Sequence, residues 1–392
     1  MPQMNGSEKG SLLSGALRSC ISKFDSDIQG STLEISEFPT FVGSVAKGIA
    51  HVFVSTLPTA DIGAHLAFAL KRQAESLVLY LPHVALPGTT SSAATEVFRV
   101  LSLQRQGFGI PVEVFSPADN QLSQVTPGSN LQLVVQEESA RSEFLNQDGA
   151  EELVELVLGC GCEALFIKER MVATHLGLEV ARSKIVDGRL GLEIGVGRND
   201  RMAKSWLSES KSQADQLHET IEVVNRYRLG SSQFHPLAKL SMARWMRLAI
   251  QDNPALIGVE GLVPVELVRT GSWPNSGLWS LKASSEPNDE DSSMYQGFDP
   301  SFEEDGISFG IGVDADGAES VVGIAASLDL GVVAKLYEVL HAARAAGRQT
   351  GGSILVLEER NKIVPIERLV DLASFGIRSA TLSPTWKMII RD

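Results

Sequence analysis

Two stretches of the chain alternate short apolar runs with amphipathic segments of helical length. In the first stretch the strand and helix patterns, in chain order, are 51–55, 61–74, 77–81, 93–106 and 112–115. In the second stretch they are 321–326, 330–347, 353–357, 364–375 and 379–382. Strands that alternate with helices in this way form βαβ crossovers with parallel strands. The sequence therefore predicts an α/β fold with two Rossmann-like βαβαβ units.

Short sequences recur at equivalent places in the two stretches. Asp61-Ile62-Gly63 opens the first helix of one stretch, and Asp329-Leu330-Gly331 opens its counterpart. Phe108-Gly109-Ile110 and Phe375-Gly376-Ile377 each connect a second helix to a last strand. Aspartate is a good helix N-cap, and glycine tolerates the positive φ of a helix C-cap. Because the two matches lie 268 and 267 residues apart, they predict an internal duplication.

The remaining patterns divide the chain into five predicted segments. The region between the two stretches shows strand patterns at 164–168, 175–183 and 189–196, then helix patterns at 200–227 and 239–251. Residues 283–306 contain eight acidic residues and neither Lys nor Arg, which is typical of a mobile linker. The predicted segments are 1–47 (helix and strand), 48–118 (first Rossmann-like unit), 119–270 (central α+β domain), 271–306 (acidic linker) and 307–392 (second Rossmann-like unit).

Charge, hydropathy and cysteine content indicate which kinds of partner and compartment to expect. The chain has 392 residues and a formal net charge of −14, but residues 164–250 contain 14 basic and 9 acidic side chains. A basic central domain inside an acidic protein indicates a surface for an anion, although a chance excess of surface arginines gives the same count. No run of 18 uncharged apolar residues exists, so we expect no membrane partner. Three cysteines favour a reducing compartment, and hence the cytoplasm.

The most specific anion-binding pattern lies where the third strand of the central domain runs into a helix. Backbone N–H groups at such a junction can hold a phosphate, and arginine can bind it with two parallel hydrogen bonds. Asp200 stands where a dinucleotide fingerprint needs a third glycine, so Asn199 or Asp200 acting only as a helix cap is the alternative. The predicted anion-binding residues are Arg182, Gly195, Gly197, Arg198, Arg201 and His235. The predicted partner is a nucleotide, a nucleic acid or another phosphorylated molecule.

Two glutamates in the same strands suggest an enzymatic alternative. Glu179 and Glu193 become cross-strand neighbours if the hairpin register is regular, and paired carboxylates can hold a divalent metal. Together with the flanking helices, this strand hairpin resembles the core of a restriction-endonuclease-like hydrolase in which Glu179 and Glu193 would be catalytic. Glu193-Ile194-Gly195 lacks the lysine that such a site uses, and a divalent metal is expected only under this alternative. A protein-interaction scaffold is the third possibility, and the cofactor and the oligomeric state stay open.

The central and C-terminal sequence also resembles a protein family. The resemblance covers roughly residues 160–385 and is to a family of uncharacterised proteins from actinobacteria. It is carried by four motifs: Gly177-Leu-Glu-Val-Ala-Arg182, Glu193-Ile-Gly-Val-Gly-Arg-Asn-Asp-Arg201, His235-Pro-Leu237 and Arg244-Trp245. The resemblance implies a bacterial cytosolic setting and no particular mechanism.

Overall fold

The structure, a computed structural model, describes most of the chain in separate ranges. The described residues are 6–28, 33–54, 62–81, 109–118, 121–124, 131–135, 138–167, 170–186, 189–196, 200–201, 211–230, 235, 237, 239–269, 306–373 and 375–391. The predicted acidic linker therefore lies outside the described residues, apart from Gly306, and so does the predicted helix at 93–106.

Helices and strands are numbered in the order in which they occur in the chain. The helices are α1 (Gly6–Phe24), α2 (Ile62–Lys71), α3 (Glu138–Leu145), α4 (Ala150–Gly159), α5 (Gln213–Arg228), α6 (Met242–Asp252), α7 (Val332–Ala345) and α8 (Val364–Leu372). The first eight strands are β1 (Ser36–Glu37), β2 (Phe41–Ala46), β3 (Ile49–Val54), β4 (Ser76–Tyr80), β5 (Val112–Ala118), β6 (Gln121–Gln124), β7 (Leu131–Val135) and β8 (Glu163–Ile167). The others are β9 (Arg170–His175), β10 (Leu178–Val186), β11 (Arg189–Ile194), β12 (Gly261–Arg269), β13 (Ile307–Val313), β14 (Glu319–Ala325), β15 (Thr350–Glu358) and β16 (Ile377–Leu382).

The N-terminal sheet has the strand order β1-β2-β3-β4-β5-β6. Strands β3, β4 and β5 are parallel, and the outer strands β2 and β6 pair antiparallel to them. Lys47 and Gly48 join β2 to β3 with φ values of 49° and 78°, which suits a tight hairpin turn. Helix α1 covers one face of this sheet with Leu17, Cys20 and Ile21.

The C-terminal sheet has the order β16-β15-β14-β13-β12-β7. Strands β14, β15 and β16 are parallel, whereas β13, β12 and β7 pair antiparallel. Helices α7 and α8 contribute to one buried cluster on the same face of this sheet. This is the result expected when right-handed crossovers advance in one direction across neighbouring strands.

Helices α2, α7 and α8 form a layer between the two sheets. Residues of both sheets and of all three helices belong to one hydrophobic core. The layer is tightly packed, because a Cβ atom on Gly63 of α2 would lie 1.8 Å from the carbonyl oxygen of Leu330. The two α/β units are thus held together by shared packing.

The predicted α/β class and the parallel strands of both units are confirmed. Both sheets are mixed, however, and their strands cross the predicted segment boundaries. Strand β2 comes from the predicted N-terminal segment, while β7 and β12 come from the predicted central domain. Among the described parallel strands, neighbours in space are neighbours in sequence, so these strands form no topological switch point of the kind that binds dinucleotides.

The central sheet is an antiparallel meander with the order β11-β10-β9-β8. Helices α4 and α5 pack on it, and α6 packs on the C-terminal sheet through the same hydrophobic core. The predicted continuous helix 200–227 is wrong, because Lys211 and Ser212 are not helical and Ser212 caps α5 by accepting from the Asp215 N–H. Within the described part of the chain, none of the helices combines the length and the apolar character that a membrane span needs.

Candidate functional site on the central sheet

One face of the central sheet, which we call the polar face, is acidic at one end and basic at the other. Paired residues in neighbouring antiparallel strands point to the same side of a sheet, as do residues two apart in one strand. The observed register therefore fixes which side chains share the face. Its charged members are Glu163, Arg170, Glu179, Arg182, Lys184, Arg189 and Glu193.

The acidic end of the polar face lies near the β9–β10 turn. Thr174 of β9 pairs with Glu163 of β8 and with Glu179 of β10, and its Oγ1 donates to Glu163 Oε2 at 3.0 Å. Glu193 lies near the end of β11, at the same edge of the sheet. Three carboxylates thus occupy one end of the face.

Arg201 binds two of these carboxylates. Its Nη1 lies 2.7 Å from Glu179 Oε1 and its Nε lies 3.9 Å from Glu193 Oε2. Arg182 also binds Glu179, with its Nε 2.7 Å from Oε1. The Arg201 side chain is only 8% exposed. Burial lowers the pKa of Arg201 from its usual value, and the charge of Glu179 opposes that shift. The group of Glu179, Arg182, Glu193 and Arg201 is therefore a partly buried ion-pair network.

The strand-to-helix junction is closed by its own aspartate. Gly195 has a φ of 144°, and a Cβ atom there would lie 2.8 Å from the Arg201 nitrogen, so glycine is required. The Val196 N–H donates to Asp200 Oδ2 at 2.8 Å. An amide that the sequence offers to an anion is thus occupied by Asp200. Gly197 and Arg198, two of the predicted anion-binding residues, lie outside the described residues.

The basic end of the polar face, which we call the cationic end, is formed by the two hairpins. Arg170 begins β9, Lys184 lies near the end of β10, and Arg189 begins β11. Because β9 and β11 both run antiparallel to β10, these positions fall at the same end of the sheet. All three residues are exposed, and the Lys184 side chain is 57% exposed. Lys184 Nζ lies 3.6 Å from Glu193 Oε1.

The predicted pairing of the two glutamates is wrong in detail. Arg182, not Glu179, lies opposite Glu193, because the Val186–Arg189 pair at the β10–β11 turn fixes a regular register in which Glu179 is three residues away from that position. The glutamates are bridged by Arg201 instead. Within the described ranges, no group of three or more His, Cys, Asp or Glu residues is arranged to hold a metal ion. The carboxylates required by the hydrolase alternative are bound by arginines in this structure.

His235 does not belong to the polar face. Its ring stacks on Tyr227 with 3.6 Å between centroids, and its Nδ1 accepts from the Leu237 N–H at 3.3 Å. Tyr227 lies at the C-terminal end of α5, and the next residue, Arg228, binds the carbonyl oxygen of Leu176 in the β9–β10 turn. The first residue of α5, Gln213, contacts Gly191 in β11. His235 therefore lies at the opposite end of α5 from that contact.

The sequence reasoning missed all three residues of the cationic end. Lys184 and Arg189 flank the predicted Asp187-Gly188 turn, and Lys184 lies two residues after Arg182, so strand alternation could have found both. Arg170 was missed because strand β9 was not predicted.

In comparisons with known proteins, no family model, no curated protein and no solved structure matches the chain.

Proposed function

We propose that this protein binds a phosphate-bearing anionic partner across the cationic end of its central sheet. The observation that carries the proposal is the separation of charge along the polar face. Arg170, Lys184 and Arg189 are exposed at one end, and Arg182 and Arg201 lie largely buried beside Glu179 at the other. Arginine recognises phosphate through two parallel hydrogen bonds, and lysine contributes a point charge.

The net charge of −14 does not oppose binding at this position. Exposed charges farther apart than about 8 Å are largely screened at physiological ionic strength. An anion at the cationic end therefore responds mainly to the nearby charges, which are Arg170, Lys184 and Arg189 together with Glu193, whose Oε1 lies 3.6 Å from Lys184 Nζ.

The start of α5 adds to the same potential. The side chain of Gln213, the first residue of α5, reaches Gly191 in β11, because a Cβ atom on Gly191 would lie 2.9 Å from Gln213 Nε2. Gly191 pairs with Lys184 in β10. The positive end of the helix dipole therefore lies near the cationic end, where it favours an anion.

Charge reversal at two of the exposed cations tests the proposal. The double variant Lys184→Glu/Arg189→Glu should bind a fluorescein-labelled polyphosphate about tenfold or more weakly than wild type at low salt, because two cation contacts are lost. The matched control Arg344→Glu/Arg368→Glu makes the same charge change at exposed positions on α7 and α8. Equal losses in both double variants would show that binding follows net charge alone, which would refute the site.

We also propose that the two α/β units arose by duplication of one ancestral unit. In support, β2–β5 and β13–β16 each consist of an antiparallel strand followed by three parallel strands in sequence order. Gly63 also packs against Gly331, its predicted counterpart, and against Leu330, the predicted counterpart of Ile62. Superposition of the two sets of strands should place Gly63 on Gly331. A superposition that pairs Gly63 with another residue would contradict the duplication.

A further inference from the structure

Helix α1 packs on the N-terminal sheet through a small hydrophobic core of its own. The buried apolar side chains of the helix are Leu17, Cys20 and Ile21. They cluster with buried residues of one sheet face, which we call the α1 face: Val42, Phe53, Val78 and Tyr80. None of the described residues of α1 belongs to the core that the two sheets share. The helix can therefore open locally while the layer between the sheets stays packed.

His51 of β3 lies on the α1 face, where it pairs with Val78 of β4. It is fully buried, and its ring lies edge-on to the ring of Phe24, the last residue of α1, with 5.4 Å between centroids. Its Nδ1 lies within hydrogen-bond distance, 2.9 Å, of Tyr80 Oη. Its Nε2 is also buried, and none of the described residues forms a hydrogen bond with it. Protonation of His51 would therefore place a charge and an unpaired donor beneath the helix.

The surrounding groups do not compensate for that charge. The nearest carboxylate, that of Asp25 directly after α1, favours a charged His51, but its Oδ2 lies 2.6 Å from Lys47 Nζ. Burial outweighs Asp25 and lowers the pKa of His51 from 6.5 to about 4. Further titratable groups on the elements around the ring are Cys20, Lys23, Asp27, Tyr80 and Glu113. Cys20 and Tyr80 are uncharged, because burial raises the pKa of both.

We infer that α1 is a pH-sensitive cover on the N-terminal sheet, and that protonation of His51 in mildly acidic solution releases the C-terminal half of α1 and uncovers the α1 face. Release lets water reach the imidazolium, because Phe24 and Asp25 move away with the helix. The open form gains up to tenfold in population for each pH unit between 6.5 and 4, since His51 has its ordinary pKa once the helix is open. Asp25 titrates below this window, because Lys47 lowers the pKa of its carboxyl. The switch does not depend on the phosphate site proposed above.

The reactivity of Cys20 in the full-length protein measures the release of α1. Its thiol is buried beneath the closed helix, so a pyridyl disulfide labels it only when the helix opens. Mass spectrometry follows the label on Cys20 and on Cys162, which is buried in the core of the central sheet. The rate in the urea-denatured chain divided by the rate in the folded protein, at the same pH, gives a protection factor for each thiol. Protection of Cys20 should fall about 20-fold from pH 7 to pH 5 and should be lower than that of Cys162 at both pH values.

Two variants separate the titration of His51 from its packing. His51→Asn keeps a polar group beside Tyr80 but takes up no proton, so the protection of Cys20 should be nearly equal at pH 7 and pH 5. Tyr80→Phe removes the hydrogen bond and leaves the imidazole buried, so it should keep most of the decrease.

Three results would overturn the inference. The first is a wild-type protection of Cys20 that is the same at pH 7 and pH 5, which requires no variant to fold. The second is a 20-fold decrease that persists in His51→Asn. The third is equal protection of Cys20 and Cys162, which would show that the whole chain opens instead of α1 alone.

Discussion

Replacement of the buried His65 by leucine should reduce the loss of stability that the protein suffers at acidic pH. His65 lies in the layer of helices between the two sheets. His65 lies in α2, and neither ring nitrogen has a hydrogen-bond partner within the described part of the chain. The ring packs edge-on against Phe41. Burial lowers the pKa of His65 from 6.5 to about 3, since a charged imidazole would be stranded in an apolar core.

The sign and size of the effect follow from proton linkage. The unfolded chain protonates His65 near pH 6.5 and the folded chain only near pH 3, so stability is lost as the pH falls through this window. Each pH unit inside the window costs about 1.4 kcal/mol for one proton. Between pH 7 and pH 5, His65 therefore contributes a loss of about 2 kcal/mol. His51, whose pKa burial lowers to about 4, contributes a loss of similar size.

Urea unfolding followed by tryptophan fluorescence at pH 7 and pH 5 measures the difference. The decrease in the free energy of unfolding should be smaller in His65→Leu than in wild type by about 2 kcal/mol. Leu66→Ala, in the same helix, is the control and should lower stability equally at both pH values, because it removes no titratable group. If His65→Leu keeps the full wild-type decrease, then His65 is not held neutral by burial and the reasoning is refuted.

Three further predictions concern stability, each measured by chemical denaturation. Arg201→Ala should lower the free energy of unfolding by about 3 kcal/mol, since it leaves partly buried carboxylates unpaired, whereas Arg182→Ala should lower it by about 1 kcal/mol. Equal decreases in the two variants would contradict the bridging role of Arg201. Gly63→Ala should lower the free energy of unfolding by at least about 3 kcal/mol, because its Cβ would clash with Leu330. Gly15→Ala in α1, where a Cβ has no atom within 4 Å, should raise it by up to about 1 kcal/mol. A Gly63→Ala variant more stable than Gly15→Ala would contradict the close packing at Leu330. Trp386→Ala should cost about 3 to 5 kcal/mol, because the indole is buried against Trp245; a cost below about 1 kcal/mol would contradict the docking of the C-terminal segment.

The parallel strands were predictable, but the hairpins that complete the sheets were not. Strands β4 and β15 contain the short apolar runs 77–81 and 354–357, and buried parallel strands are expected to carry such runs. The β2–β3 and β9–β10 turns are formed by Lys47-Gly48 and Leu176-Gly177, both with positive φ at the first residue. Lysine and leucine are rare in that conformation, so the sequence carries no strong turn signal there.

The candidate site was only partly predictable for a related reason. Strand alternation correctly places Glu179 and Glu193 off the apolar face, but it puts Arg182 with Leu178 and Val180, and only the register shift between Glu179 and Ala181 brings Arg182 to the polar face. The sequence also predicts that Arg201 binds an anion at the surface. Arg201 is instead buried, because Gly195 turns the chain so that Asp200 and Arg201 return over the sheet. Burial of this kind depends on tertiary packing, which periodicity within one strand does not report. The separation of charge along the polar face depends on β9, which lies between β8 and β10 and is not evident from the sequence.

The salt dependence of polyphosphate binding tests the central claim most directly. For a flexible single-stranded polyanion, the slope of log K against log salt concentration is about −0.7 for each phosphate contact. Removal of two cations in Lys184→Glu/Arg189→Glu should therefore make the slope shallower by about 1.4, while Arg344→Glu/Arg368→Glu keeps the wild-type slope. A wild-type slope in Lys184→Glu/Arg189→Glu would contradict binding at the cationic end of the central sheet.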